Sequence, residues 1–244
     1  MEVQILGCGD AFGSGGRLQT CFYIRAAGKR FLIDCGTTAL IAMRRFGVNP
    51  NAIDTVFLTH LHGDHFGGLP FLILDAQLIS RRTAPLTIAG PPGLRQRLPA
   101  LMEILFPGSS SVERRFALEL VELEPEITAV LNDVEVTPFP VRHPSGAPSF
   151  ALRVTCEGRT LCYTGDTEWV DAIIPAARSA DLLIAEGYTA ERPVRYHLDW
   201  ATLRRHLPQI APRRVLLTHM SAEMLGHHPD GYEAAEDGLT VAIR

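Results

Sequence analysis

Lysine is almost missing from this chain: Lys29 is the only one, although lysine and arginine together number 23. With 27 acidic residues and a net charge of −4, the sequence shows no overall basic excess of the kind that grips nucleic-acid phosphates. Arginine pairs at 44–45, 81–82, 114–115, 204–205 and 213–214 could gather into a patch, but solvated helix faces and a codon preference explain them more cheaply. The five cysteines, at 8, 21, 35, 156 and 162, are odd in number and never stand in CxxC spacing. That suggests a reducing, cytoplasmic compartment and not a disulfide framework. No apolar run reaches the length of a membrane span, and the opening "MEVQILGCG" reads as a strand. No linker or low-complexity stretch divides the 244 residues, so a single domain over 1–244 is expected.

Apolar, β-rich runs recur along the chain, from "VQILG" and "CFYIRA" through "TVFLT", "LTIAG" and "LLIAE" to "LTVAI". Helical patterns interrupt them at about 37–46, 66–80, 92–106, 168–179, 199–209 and 230–237. Many strands are apolar on both faces, as in mixed sheets covered by helices. "TVFLTH" at 55–60 and "RVLLTH" at 214–219 are nearly the same strand, each ending in Thr-His. Two halves built on such a repeat could stack sheet on sheet and bring both histidines to one edge. The expected fold is therefore α/β, a four-layer αββα sandwich of two mixed β-sheets flanked by helices.

The densest chemistry lies in "THLHGDHFGG", where His60, His62, Asp64 and His65 occupy six positions. A strand aligns 60, 62 and 64 but throws 65 to the other face, and a helix aligns 60 only with 64. The cluster must sit where the chain changes conformation, on a strand-to-helix turn. His60 and His62 can then face one centre while Asp64 and His65 face another, which points to two neighbouring metal ions. His143 in "FPVRHPSG", Asp166 in "LCYTGDT" and His219 in "LLTHMS" each follow an apolar run, where a rigid strand holds a side chain at a sheet edge. Imidazole and carboxylate without thiolate suit Zn2+ first, with Mn2+ or iron as alternatives.

This HxHxDH run, followed by a His, an Asp in TGDT and a His after a strand, resembles the metallo-β-lactamase superfamily. The stretches "LGCGDAFGSGGRLQTCFYI", "FLIDCG" and "HFGGLPFLI" are similar to its ribonuclease Z-type branch, which also contains cyclic-nucleotide phosphodiesterases and arylsulfatase-like enzymes. The resemblance implies a first metal on His60, His62 and His143, a second on Asp64, His65 and His219, and Asp166 bridging them. Two metals sharing a water lower its pKa towards about 7, giving a hydroxide nucleophile that Asp64 can aim. In this branch a Glu and a His matching Glu186 in "LLIAEGY" and His197 in "RYHLDW" pair, and the His helps protonate the leaving oxygen. The family's Glu-Ala-Thr is Glu-Gly-Tyr here and its His-Ser-Thr is His-Leu-Asp, which leaves the detailed role open. Without the resemblance, His197 would read as a residue ahead of a helix capped by Asp199.

Ribonuclease Z enzymes that process tRNA carry a long arm between the positions matching His143 and Asp166. Only residues 144–165, 22 positions, intervene here, and two strands with a turn at Glu157-Gly158 consume them. A small or single-stranded phosphodiester is thus the expected substrate. The rival readings are a tRNA 3′-end processing endonuclease, which would need the missing arm from a partner, and a non-catalytic metal-binding sensor or accessory protein. A homodimer is expected from the resemblance. Tyr188 could line the pocket or simply pack; Cys8 reads as a packed residue near the metals, His206 as a surface or packing residue, and His227-His228 as an exposed turn.

Overall fold

The computed structural model describes residues 1–226 and 232–244. Among them are strands β1 (Glu2–Gly7), β2 (Cys21–Ala26), β3 (Lys29–Ile33), β4 (Thr55–Phe57), β5 (Leu86–Gly90), β6 (Leu118–Glu122) and β7 (Ala129–Leu131). They continue with β8 (Val134–Val141), β9 (Ser149–Cys156), β10 (Arg159–Tyr163), β11 (Leu182–Glu186), β12 (Val215–Thr218), β13 (Glu233–Ala234) and β14 (Thr240–Ala242). The helices are α1 (Ala39–Arg45), α2 (Gly63–Phe66), α3 (Leu69–Leu78), α4 (Leu94–Leu105), α5 (Ile173–Ala177), α6 (Trp200–Ile210) and α7 (Ala222–Leu225).

The strands form two seven-stranded sheets, ordered β14-β1-β2-β3-β4-β5-β6 and β13-β12-β11-β10-β9-β8-β7. Both are mixed. β3 to β6 run parallel while β14, β1, β2 and β3 pair antiparallel. In the second sheet β10 to β13 run parallel and β7 to β10 pair antiparallel.

Alternation along these strands explains the layers. Ile5, Phe22, Ile33 and Phe57 point inward from the first sheet and meet Val136, Phe150, Leu152, Tyr163 and Ile184 of the second. Leu32, Val56 and Ile88 face the other way, against Met43, Leu72, Ile73 and Leu98 of α1, α3 and α4. Cys162, Leu183 and Leu217 pack likewise against Ile173, Leu203 and Met224 of α5, α6 and α7. Strands apolar on both faces thus sit between a partner sheet and a helical layer, the four-layer αββα sandwich expected from the sequence.

Three local expectations change. The helix over 66–80 is shorter, running as α3 over Leu69–Leu78, with the separate turn α2 ending at Phe66; Gly67 and Gly68 lie between them, packed so closely that a Cβ on Gly68 would lie 2.1 Å from Gly36 O. The helix over 168–179 shrinks to Ile173–Ala177, its first residues being drawn into turns beside the strand ends. The helix over 230–237 is not formed in its described part, residues 232–237, which contains β13. Strand β13 itself and the short edge strand β7 were not anticipated.

Candidate metal centre

Strands β1, β3, β4, β8, β10, β11 and β12 all point their C-terminal ends to the same edge of the sandwich. Loops leaving such an edge can converge on one site. His60 follows β4; His62, extended at φ −81° and ψ 154°, immediately precedes α2, and Asp64 and His65 fall in that helix. The switch from extended to helical backbone at residue 63 turns the two pairs of side chains in different directions. Close backbone packing holds the turn down. Cys35 N donates to His65 O (2.6 Å), Gly68 N donates to Cys35 O (2.9 Å), and a Cβ on Gly36 would strike Asp64 O at 2.3 Å. This is the physical content of the glycines in "DCG" and "HFGG".

The second sheet delivers its groups singly. His143 follows β8, Asp166 follows β10 through Gly165 in the left-handed region (φ 60°), Glu186 ends β11, and His219 (φ 55°) follows β12. Thr59 joins the halves: its carbonyl accepts from Phe150 N (3.0 Å), and Gly165 lies so close that a Cβ there would be 3.1 Å from Thr59 Cβ.

The seven side chains meet. Donor atoms of His60, His62 and His143 lie within 4.8 Å of one another, as do those of Asp64, His65, Asp166 and His219. Asp166 stands between the groups. Its Oδ2 is 3.9 Å from His60 Nε2, 3.8 Å from His143 Nε2 and 3.2 Å from His219 Nε2, while its Oδ1 is 3.3 Å from His65 Nε2.

Hydrogen bonds behind the rings set which nitrogen faces the centre. His143 Nδ1 donates to Tyr196 O (3.0 Å), and His65 Nδ1 donates to Asp34 Oδ2 (2.7 Å). Thr59 Oγ1 donates to Asp34 Oδ2 (2.8 Å) and so accepts from His60 Nδ1 (3.0 Å). Nε2 of each of these rings is left facing inward. His219 Nδ1 lies 3.4 Å from Glu186 Oε1, while its Nε2 lies 3.3 Å from Asp64 Oδ2. Glu186 Oε1 also meets His197 Nδ1 at 2.5 Å, and its Oε2 accepts from Thr167 N (2.8 Å) and Leu198 N (3.1 Å). His197 thus pairs with Glu186, while Asp199, two residues further on, caps α6 by accepting from Thr202 N (2.8 Å).

This donor set fits a divalent cation. His60 Nε2, His65 Nε2 and Asp166 Oδ1 are buried polar atoms with no hydrogen-bond partner, an arrangement that is costly unless something binds there. Burial holds the His60 and His62 imidazoles below their ordinary pKa, keeping them neutral donors. Burial would push Asp166 up, but the His219 and His65 imidazoles outweigh it and hold the carboxyl well below the usual range. For His219, burial opposes the charged form, yet Asp166, Asp64 and Glu186 push its pKa up to about 10. Protons here balance the carboxylates, and a cation taking their place releases them.

Other residues singled out in the sequence stay outside this cluster. His206 stacks on Trp169 (3.8 Å between centroids, 10°) and is a packing residue. Cys8 is buried, and all five cysteines are free. Burial, with Asp237 beside it, pushes the Cys8 thiol well up, opposite to what a nucleophile needs. Several paired arginines are tied locally, Arg44 to Asp75, Arg213 to Asp181 and Arg214 to Glu233, while Arg82 is turned inward onto backbone carbonyls. His227-His228 lie outside the described residues. Sequence reasoning missed Asp34, Thr59 and the Tyr196 carbonyl. Asp34 ended an apolar strand run and could have been suspected as a buried acid, but a carbonyl carries no sequence signal.

The family model described as "Anti-Pycsar protein Apyc1" matches residues 1–236. A ribonuclease Z of Lachnoclostridium phytofermentans is 34% identical over 162 residues, 66% of this chain, which spans about half (51%) of that relative. A ribonuclease Z of Agathobacter rectalis is 32% identical over 238 residues, covering 79% of this chain and 76% of the relative. Among solved structures, the human tRNase Z short form, ELAC1, superposes with a TM-score of 0.82 at 29% identity, covering 100% of both chains. By the family match and the relatives together, the chain belongs to the Anti-Pycsar protein Apyc1 family, in the ribonuclease Z and phosphodiesterase branch of the metallo-β-lactamase superfamily of metal-dependent hydrolases.

Proposed function

We propose that the chain is a binuclear phosphodiesterase acting on a small or single-stranded phosphodiester. The observation that carries this reading is the convergence of seven donors into two groups sharing Asp166, with the Glu186–His197 pair alongside. His60, His62 and His143 would hold one divalent ion, and Asp64, His65 and His219 the other, with Asp166 between them. Zinc is the first choice for this nitrogen and oxygen set, with manganese or iron as alternatives. Bound there, two such ions supply a hydroxide at neutral pH and polarise a phosphoryl oxygen.

The remaining steps belong to the protein. Asp64 accepts a hydrogen bond from the attacking water and aims it. Glu186 fixes the tautomer of His197 by accepting from Nδ1, so Nε2 is the nitrogen that gives a proton to the leaving oxygen. Burial works to lower the His197 pKa, but its hydrogen bond to Glu186 and that carboxylate's charge outweigh burial and raise it, as an acid requires.

Substrate size is argued from the stretch between His143 and Asp166. Strands β9 and β10 pair antiparallel from Cys156 and Arg159 onward, and Glu157 and Gly158 alone make the turn, both at positive φ (51° and 70°). No arm for the tRNA elbow is built there. A tRNA 3′-end endonuclease is the second reading, favoured by the likeness to ELAC1. A non-catalytic metal-binding sensor or accessory role has only the bare metal site in its favour.

A single domain, a cytoplasmic location and a homodimer complete the proposal. Exposed Phe71, Leu78, Ile104 and Leu105 on α3 and α4 support the dimer, and light scattering in solution tests it. No helix among the described residues is long and apolar enough to cross a membrane.

The test is hydrolysis of bis-p-nitrophenyl phosphate by zinc- or manganese-loaded protein, with Asp64→Ala as control, followed by cyclic nucleotides, short RNAs and a precursor tRNA. Turnover lost in the variant supports the phosphodiesterase. Absence of turnover from folded, metal-loaded protein moves the reading to lactone, thioester or sulfate esters and then to the non-catalytic role, and cleavage confined to precursor tRNA establishes the second reading.

A further inference from the structure

His197 is held at one corner by Glu186, and one hydrogen bond fixes a point, not a plane. An imidazole anchored only at Nδ1 can pivot and carry Nε2 away from the leaving oxygen. The ring of Tyr188 lies against it, 4.5 Å between centroids with 27° between planes. His197 is also nearly parallel to His219 (13°, 6.0 Å) and edge-on to His143 (71°, 5.1 Å). Of these neighbours only Tyr188 is both close and stacked. Its backbone is tied to the same assembly: Tyr188 N donates to Leu198 O (2.8 Å), and Tyr188 O accepts from Ser221 N (3.0 Å), two residues past His219. Yet its side chain is only half-buried, so filling the core is not what this large ring does.

We propose that Tyr188 is a positioning residue that fixes the plane of the His197 ring, so that Nε2 points at the leaving oxygen of a phosphodiester. The inference rests on the reading of His197 as proton donor. It requires the ring and not the hydroxyl, since a flat face is what stops the pivot.

The readout is the ratio of turnover on a 3′,5′-cyclic nucleotide, whose ribose oxygen leaves poorly without a proton, to turnover on bis-p-nitrophenyl phosphate, whose aryl oxide leaves readily. Manganese-loaded full-length protein is used throughout. Tyr188→Leu lowers the ratio by about tenfold, and Tyr188→Phe restores it. Tyr188→Met repeats the measurement, so a folding defect peculiar to one variant does not decide it. In the His197→Ala background Tyr188→Leu lowers the ratio no further, because it acts through His197. A ratio that falls in His197→Ala but not in Tyr188→Leu or Tyr188→Met overturns the positioning role and leaves the acid intact. A loss that persists in the double variant overturns it as well. A ratio unmoved by His197→Ala removes the acid, and this inference with it.

Discussion

The two sheets serve the same centre by different means. The first offers His60, His62, Asp64 and His65 from one strand-to-helix turn, supported from behind by Asp34 and Thr59. The second offers His143, Asp166, Glu186 and His219 one at a time from four strand ends, supported by the Tyr196 carbonyl and, for the His219 backbone N–H, the Cys8 carbonyl (3.0 Å). In the first half geometry is set locally, by one change of backbone conformation and by glycines that let two loops touch. In the second it is set by strand register across the sheet, with His219 and Tyr196 in the left-handed region, as Asp34 is behind the first half, each costing of order 1 kcal/mol. A local turn can be wrong only as a unit, whereas a distributed site depends on each strand end separately.

Damage to the distributed half should be the more severe where one residue serves both groups. Asp166→Ala is expected to lower bis-p-nitrophenyl phosphate turnover by about 10³-fold or more and to deplete bound metal, measured by elemental analysis of the purified protein. His62→Ala removes a donor from one group only and should leave more metal bound. Equal depletion in the two variants would break the contrast between a shared and an unshared donor.

His197→Ala comes next. On substrates with a ribose leaving oxygen it should cost about 10²-fold or more in turnover, and much less on p-nitrophenyl esters, because only a poor leaving group needs the proton. A uniform loss across leaving groups would point to a structural role for the Glu186–His197 pair.

A smaller effect probes the local half from behind. Asp34 is buried and accepts from Thr59 N (2.8 Å), Thr59 Oγ1 and His65 Nδ1, so it orients the run without belonging to it. Asp34→Ala should weaken metal affinity by about 10–100-fold, the range for residues that hold a ligand's far side. Chelator competition measures this, and an unchanged affinity would mean that the turn alone suffices.

Legibility followed the same division. The run at 60–65 declares itself because its spacing fits neither a strand nor a helix, and "TVFLTH" and "RVLLTH" announce paired sheets through β-branched strands with the same ending. His143, Asp166 and His219 were readable as candidates because each stands just past an apolar run. Supporting contacts were harder: Asp34 looks like the polar end of a strand, and a carbonyl such as that of Tyr196 has no residue-type signature at all. Edge strand β7 has only three residues, too few for a periodic signal, and is joined to β8 by a two-residue turn of Asn132 and Asp133, both at positive φ (50° and 62°). Apolar periodicity overstated the helix near 170 because Thr167 and Glu168 spend their hydrogen bonds on Arg142 and Tyr196, holding that stretch in turns.

Cys8 gives the smallest expected effect and the sharpest test of what a strand end contributes. Its carbonyl accepts from His219 N (3.0 Å), while its thiol is enclosed with Ala235 O and Asp237 Oδ1 (3.5 and 3.2 Å). Burial pushes that thiol well up, and pushes the Cys162 thiol up to about 12, so neither is a thiolate at neutral pH. Cys8→Ala keeps the carbonyl and should change turnover by less than about twofold, with a destabilisation of roughly 1 kcal/mol for the lost contacts. Native protein should correspondingly resist a chromogenic disulfide reagent until it is unfolded. Rapid labelling of Cys8 with loss of turnover would make the side chain, and not the backbone, what this strand end brings to the site.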